Sequence, residues 1–255
     1  MVRIPPYEEP DLSRPPAPSD GLIRLLRDSV LLEDEAALIV NKPAGLAVHG
    51  GSGIRLGLIE AIRQIDPEWQ SAELAHRLDR DTSGCLVICK NLNYLRGLQE
   101  QLKKKDVDKR YQALVYGQWP EKRVEVDLPL AKNVLSSGER IVRVDPAGKQ
   151  SVTRYSVLQS FSGATLLEAR PQTGRTHQIR VHCQHAGHSI VGDNKYLAGE
   201  KGSPAKLRDY KQLCLHAASI SYTSPLTGKP VSASADLPEH MRSLLDYLGL
   251  YTIKT

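Results

Sequence analysis

The sequence predicts an α+β fold built on an antiparallel or mixed sheet rather than a doubly wound α/β fold. Two observations carry this. Strand-like segments outnumber helical ones along the 255 residues. Turn signals such as SSGE, PAGK and PLTGKP separate several of those segments. The composition suits a large packed core, with 40% hydrophobic and 25% charged residues. Lys and Arg number 34 against 29 Asp and Glu, a net charge of +5 that favours polyanionic partners without identifying one.

The first twenty residues, MVRIPPYEEPDLSRPPAPSD, are rich in Pro and charge and predict an extended arm or linker, with the globular domain over 21–255. VLLEDEAALIVNKPAG predicts a short strand, an acidic turn and a second strand ended by Pro43 and Gly45. GGSGIRLGLIEAIRQI predicts a Gly-rich loop entering a helix, with Leu58, Ile62 and Ile65 at helical spacing. CLVICK predicts a buried strand. NLNYLRGLQEQLKKK predicts an amphipathic helix capped by Asn91, with Leu95, Leu98 and Leu102 on one face and three lysines at its end. KRYQALVYGQW, RIVRV, TRYSVLQ, ATLLEARP and LHAASISY predict further strands. PEHMRSLLDYLGL predicts a closing helix with Met241, Leu244, Leu245 and Leu248 together.

Cys85 and Cys89 sit in an apolar run and, with Cys183 and Cys214, form no disulfide framework. No signal-peptide pattern opens the chain and no apolar run has membrane-spanning length. The expectation is a reduced, soluble, cytoplasmic protein.

HRLDRDTSG (76–84) concentrates chemistry. Asp79 lies between Arg77 and Arg80, and a nearby guanidinium favours the ionised carboxylate that a nucleophile requires. Thr82, Ser83 and Gly84 supply a turn before the strand at Cys85. RPQTGRTHQIRVHCQHAGH (170–188) predicts a helix with Ile179, Cys183 and Ala186 on one face and His177, Arg180 and Gln184 on another. Gly174 and Thr176 supply its turn and cap. Its start, beside Arg175, suits a phosphate, and Arg180 suits a bidentate carboxylate pair. His182, His185 and His188 drift around a helix and lack an accompanying Glu, so no metal site is expected. Tyr111 opens a strand beside Lys109 and Arg110, where it suits base stacking. Lys42 follows a strand and precedes a Gly-rich loop without P-loop order.

One rival is a magnesium-dependent aspartyl-phosphate phosphatase. LDRDTSG contains its D-x-D-x-T pattern, and VGDNKY would be its acidic loop. The preceding SAELAHRL is not the buried strand that motif needs, and arginines crowd the aspartates.

HRLDRDTSG resembles the central motif of the RluA-type pseudouridine synthases. LIVNKPAGLAVHGGSG, KRYQALVYG, TGRTHQIRVH and LHAASISYTSPLTGK resemble further blocks in family order. LAKNVLSSGERIVRVDPAGKQSVTRY is similar to the RluC subgroup, which modifies 23S large-subunit ribosomal RNA. The resemblance implies a mixed, mostly antiparallel central sheet, with helices and loops around an RNA cleft. It implies that Asp79 is the nucleophile, that Arg180 pairs with it, and that Tyr111 stacks on the target base. Arg77 would help flip that base, and Arg175, His177 and Gln178 would shape the cleft and contact the RNA backbone. Lys42 and Lys109 are expected among the RNA contacts.

The implied reaction flips a uridine out of its stack and isomerises it, which requires no cofactor or metal. The partner would be RNA, ribosomal first and transfer RNA second, bound by a monomer. A non-catalytic RNA-binding module is the alternative. Two departures stand out. GHSI (187–190) replaces the G-H-P-I often found in the family, which predicts a looser turn. VRIPP near the start resembles the exit of an S4 RNA-binding domain, which predicts that such a domain is missing.

Overall fold

The computed structural model describes residues 15–51, 53–122, 124–134, 140–198 and 203–249; most of the expected arm (1–14) lies outside them. A ten-stranded sheet organises the described chain. Its spatial order is β1 (Val30–Glu33), β2 (Ala37–Lys42), β4 (Ser83–Cys89), β11 (Leu215–Thr223), β5 (Asp108–Tyr116), β10 (Ala164–Pro171), β9 (Val152–Phe161) and β6 (Glu125–Asp127). β3 (Glu73–Leu74) joins β4, and β12 (Pro230–Ser234) joins β11. β7 (Leu130–Val134) and β8 (Arg140–Val144) form a separate hairpin. Within the described sheet β4 pairs β11 in parallel and the remaining ladders are antiparallel. The mixed, mostly antiparallel sheet is the one expected.

β4 sits inside the sheet with helices over both faces, and its sequence says why. All seven residues of SGCLVIC are buried, the pattern of a strand covered on both sides. Leu86 and Ile88 face one cluster with Leu58 and Ile62 of α2 (Leu58–Ile65). Cys85, Val87 and Cys89 face the other, with Tyr94 and Leu98 of α3 (Leu92–Lys104). Each such aliphatic side chain contributes roughly 1.5–3 kcal/mol through burial. Asn91 caps α3, its side chain accepting from Tyr94 N at 2.8 Å. The four cysteines are buried and unpaired.

α4 (Gln178–His185), α5 (Ala205–Arg208) and α6 (Glu239–Gly249) complete the described helices with α1 (Asp20–Asp28). α6 buries Met241, Leu244 and Leu248 as expected. α1 was not expected. It starts at the last residue of the predicted arm, capped by the Ser19 hydroxyl and anchored by Leu26. At GHSI, Ser189 N donates to Ala198 O at 3.1 Å, a bond that proline could not make. Among the described residues no helix is long and apolar enough to cross a membrane.

Candidate active site

The loop from β3 to β4 is held residue by residue, which explains the composition of HRLDRDTSG. His76 faces inward and its Nε2 accepts from Val87 N of β4 at 3.2 Å. Burial pulls its pKa down to about 3, so it is a neutral anchor. Leu78 plugs the core while Arg77 and Arg80 face solvent. Thr82 N closes a turn on Asp79 O at 3.2 Å. Ser83 Oγ meets His216 Nδ1 of β11 at 2.9 Å, and His216 Nε2 donates to Ala235 O at 3.1 Å. Gly84 has φ +107, and a Cβ there would lie 2.2 Å from Ala217 O. Only glycine allows β4 to lie so close to β11. Asp79 is thereby presented half-buried from a fixed loop.

The partners of Asp79 come from elsewhere in the chain. Arg80 pairs with Asp81 at 3.2 Å instead, so the flanking arginine expected to act on Asp79 serves its neighbour. Arg180 Nη1 of α4 approaches Asp79 Oδ2 at 3.6 Å, and His177 Nε2 at 3.9 Å. α4 is not a surface helix with one apolar face: Gln178 to Cys183 are all buried. Its cap is His177 in the left-handed region at φ 52, rather than Thr176.

Arg180 makes the bidentate pair its position suggested, with Asp193. Nε and Nη2 donate to the two Asp193 oxygens at 2.7 and 2.8 Å, leaving Nη1 for Asp79. Asp193 Oδ1 also accepts from Lys195 N and Tyr196 N. Burial lowers the pKa of Arg180, but Asp193 and Asp79 outweigh it and raise the guanidinium overall. Asp193, in VGDNKY, therefore belongs to a buried ion pair and not to a magnesium-binding loop. His182, considered for a metal, is buried between Thr153 Oγ1 and Leu128 O. Among the described residues no group of three His, Cys, Asp or Glu could hold a metal ion.

Eight of the nine singled-out residues line one cavity of about 540 Å³: Asp79, Tyr111, Arg180, Arg77, Arg175, His177, Gln178 and Lys109. A second cavity, of about 490 Å³, shares Asp79, Arg77, His177 and Arg180 and adds His49, Asn194 and Lys195. Asp79 stands on the wall between them. Tyr111 pairs across the sheet with Ala169 and Ala217. These small neighbours leave its ring room toward the cavity, and burial raises its phenol pKa, with Asp79 adding to the effect. Burial also lowers the pKa of Lys109.

Two expected RNA contacts are corrected. Lys42 is fully buried and gives its ammonium protons to the carbonyls of Pro43, Leu46 and Arg80 at 2.7, 2.8 and 2.9 Å. It clasps the Asp79 loop from behind and cannot reach a phosphate. Gln178 is also buried and fully used. Its Oε1 accepts from Thr173 Oγ1 and Arg175 N, and its Nε2 donates to Val152 O and Thr153 Oγ1. It braces the loop before α4. Residue type alone could not separate these internal clasps from surface contacts. Sequence reasoning missed Tyr196 altogether. The acidic residue followed three positions later by tyrosine in VGDNKY was the available signal.

A family model described as "RNA pseudouridylate synthase" matches residues 36–185. The ribosomal large subunit pseudouridine synthase C of Pasteurella multocida is 47% identical over 251 residues, 97% of this chain and 76% of that protein. The same-named protein of Escherichia coli K12 is 45% identical over 252 residues, 97% of this chain and 78% of that one. Among solved structures, human RNA pseudouridylate synthase domain containing 4 superposes with a TM-score of 0.73 at 26% identity. It covers 90% of this chain and 96% of its own.

Proposed function

Since this chain belongs to the RNA pseudouridylate synthase family, we propose that Asp79 is its reacting carboxylate and that the cavity beside Tyr111 receives the flipped uracil. The chain is a pseudouridine synthase, an isomerase that converts uridine to pseudouridine. We place its substrate in large-subunit ribosomal RNA, the substrate in the names of its relatives.

One observation carries the residue assignment. Asp79 is the carboxylate that lines the Tyr111 cavity, faced by Arg180 and His177 from α4. A uracil stacked inside a helix cannot reach a recessed carboxylate, so it must leave the stack. Tyr111 then offers a ring face to the base, and the exposed Arg77 and Arg175 meet the flanking phosphates. Asp79 promotes cleavage of the N1–C1′ bond. The uracil rotates in the cavity, C5 bonds to C1′, the C5 hydrogen leaves to solvent as a proton, and N1 takes up a proton in its place, so the product is an isomer of the substrate. Arg180 Nη1, fixed by the Asp193 fork, steadies the carboxylate through these steps.

The test is tritium release from RNA carrying C5-tritiated uridine, with pseudouridine mapping of large-subunit ribosomal RNA and of transfer RNA after incubation with the protein. Release with new pseudouridine in ribosomal RNA is expected. Release confined to transfer RNA would overturn the substrate and leave the chemistry.

A further inference from the structure

Taking Asp79 as the reacting carboxylate, as proposed above, we infer that Tyr196 is a positioning residue that fixes which nitrogen of His177 carries the proton facing Asp79. Tyr196 is buried, and its Oη accepts the Val142 N–H of β8 at 3.0 Å. The same oxygen lies 2.7 Å from His177 Nδ1. Val142 brings its own proton, so the phenol proton needs an acceptor, and Nδ1 is in place to be it. Were Nδ1 to donate instead, the buried hydroxyl proton would lose this partner.

The neutral imidazole then carries its proton on Nε2. Nε2 is the atom 3.9 Å from Asp79 Oδ2, so the ring shows the carboxylate a donor. The other tautomer would show it a lone pair. Burial favours the neutral ring, lowering the His177 pKa more than Asp79 raises it, while Arg180 and Lys195 add to the lowering. The ring is also held in direction. His177 caps α4 at φ 52, and its plane meets the Tyr196 ring edge-on, centroids 5.5 Å apart at 72°.

The 3.9 Å separation is longer than a hydrogen bond, and catalytic contacts commonly tighten once substrate is bound. Asp193 joins the arrangement from the same turn, since its Oδ1 accepts from Tyr196 N at 3.1 Å while its carboxylate holds Arg180. Residues 193–196 thus aim two donors at one carboxylate, Arg180 Nη1 and His177 Nε2–H.

Nitrogen NMR of the full chain labelled with ¹⁵N-histidine tests this. The His177 signals should report Nδ1 unprotonated and Nε2 protonated in the unaltered protein, a result that needs no variant. Tyr196→Phe keeps the ring and removes the hydroxyl. It should give a mixture of tautomers and lower kcat for tritium release by roughly 3- to 10-fold, the size of one lost hydrogen bond, with KM within about twofold. A proton on Nδ1 in the unaltered protein overturns the inference. So does Tyr196→Phe with an unchanged tautomer and unchanged kcat. Asp79→Asn assayed alongside separates the two ideas: full turnover there removes the role of Asp79, whereas lost turnover there with an unaffected Tyr196→Phe removes only that of Tyr196.

Discussion

Replacing Asp193 by alanine should damage stability and turnover together. The Asp193 side chain is fully buried and accepts from Arg180 Nε and Nη2 and from the amides of Lys195 and Tyr196, at 2.7 to 3.1 Å. Asp193→Ala deletes all four acceptor contacts. It leaves the Arg180 guanidinium, whose side chain is only 7% exposed, with Asp79 at 3.6 Å as its remaining ion partner. Breaking one side of a buried pair costs about 3–5 kcal/mol, because the remaining charge stays out of water. In a chain of this size each kcal/mol moves Tm by about 2–4 °C, so a fall of roughly 6–20 °C is expected.

The freed guanidinium should also swing toward Asp79. A displacement of about 1 Å in a reacting geometry lowers rates by up to about 100-fold. Asp193→Asn keeps an oxygen for the two amides and should lose less stability than alanine. Circular dichroism melts and urea titrations measure the first effect, and tritium release at saturating RNA measures the second. An alanine variant within about 0.5 kcal/mol of the parent, turning over at the parent rate, would refute the idea that Asp193 aims Arg180.

Gly84→Ala should lose at least about 3 kcal/mol in urea titrations and most tritium release. The new Cβ meets Ala217 O at 2.2 Å, and φ +107 strains any L-residue at the point where the Asp79 loop enters β4. Lys42 should leave a mark on the pH dependence of stability. Burial pulls its pKa from 10.5 to about 7, against Asp81 and Asp79. With the folded value below the unfolded one, the unfolded chain binds more protons between those two limits. Lys42 therefore makes stability rise with pH across that window and fall as pH drops toward about 7. Lys42→Met should abolish this slope. It should also destabilise the protein, by removing the donor group that the carbonyls of Pro43, Leu46 and Arg80 share; urea titrations at several pH values measure both.

Much of this site is legible in local spacing, and the rest depends on contacts distant in sequence. The alternation of HRLD follows a rule visible along the chain: His76 and Leu78 turn inward, Arg77 outward and Asp79 to the cavity wall. The TSG that follows is the turn its residue types announce. What spacing could not show is that Asp79 is faced by Arg180, a hundred residues on, and not by Arg80, whose nearer partner is Asp81. Lys42 and Gln178 were misread for one physical reason. A polar side chain beside a loop serves equally well as an inner clasp or an outer contact, and burial decides which. Asp193 attracted notice only as a metal ligand, because a carboxylate near aspartates suggests a cation, and here the cation is a guanidinium. α1 was hidden by the prolines before it, although Ser19 and Leu26 supply its cap and anchor.

Tritium release by Asp79→Asn and Asp81→Asn, each checked for an unchanged circular dichroism spectrum, most directly tests whether Asp79 carries the reaction. Asp79→Asn should release no tritium above background. Asp81→Asn should retain most of the parent activity, since the ion pair of Asp81 among the described residues is with the exposed Arg80. Release by a folded Asp79→Asn, or activity lost only in Asp81→Asn, would contradict the assignment of Asp79.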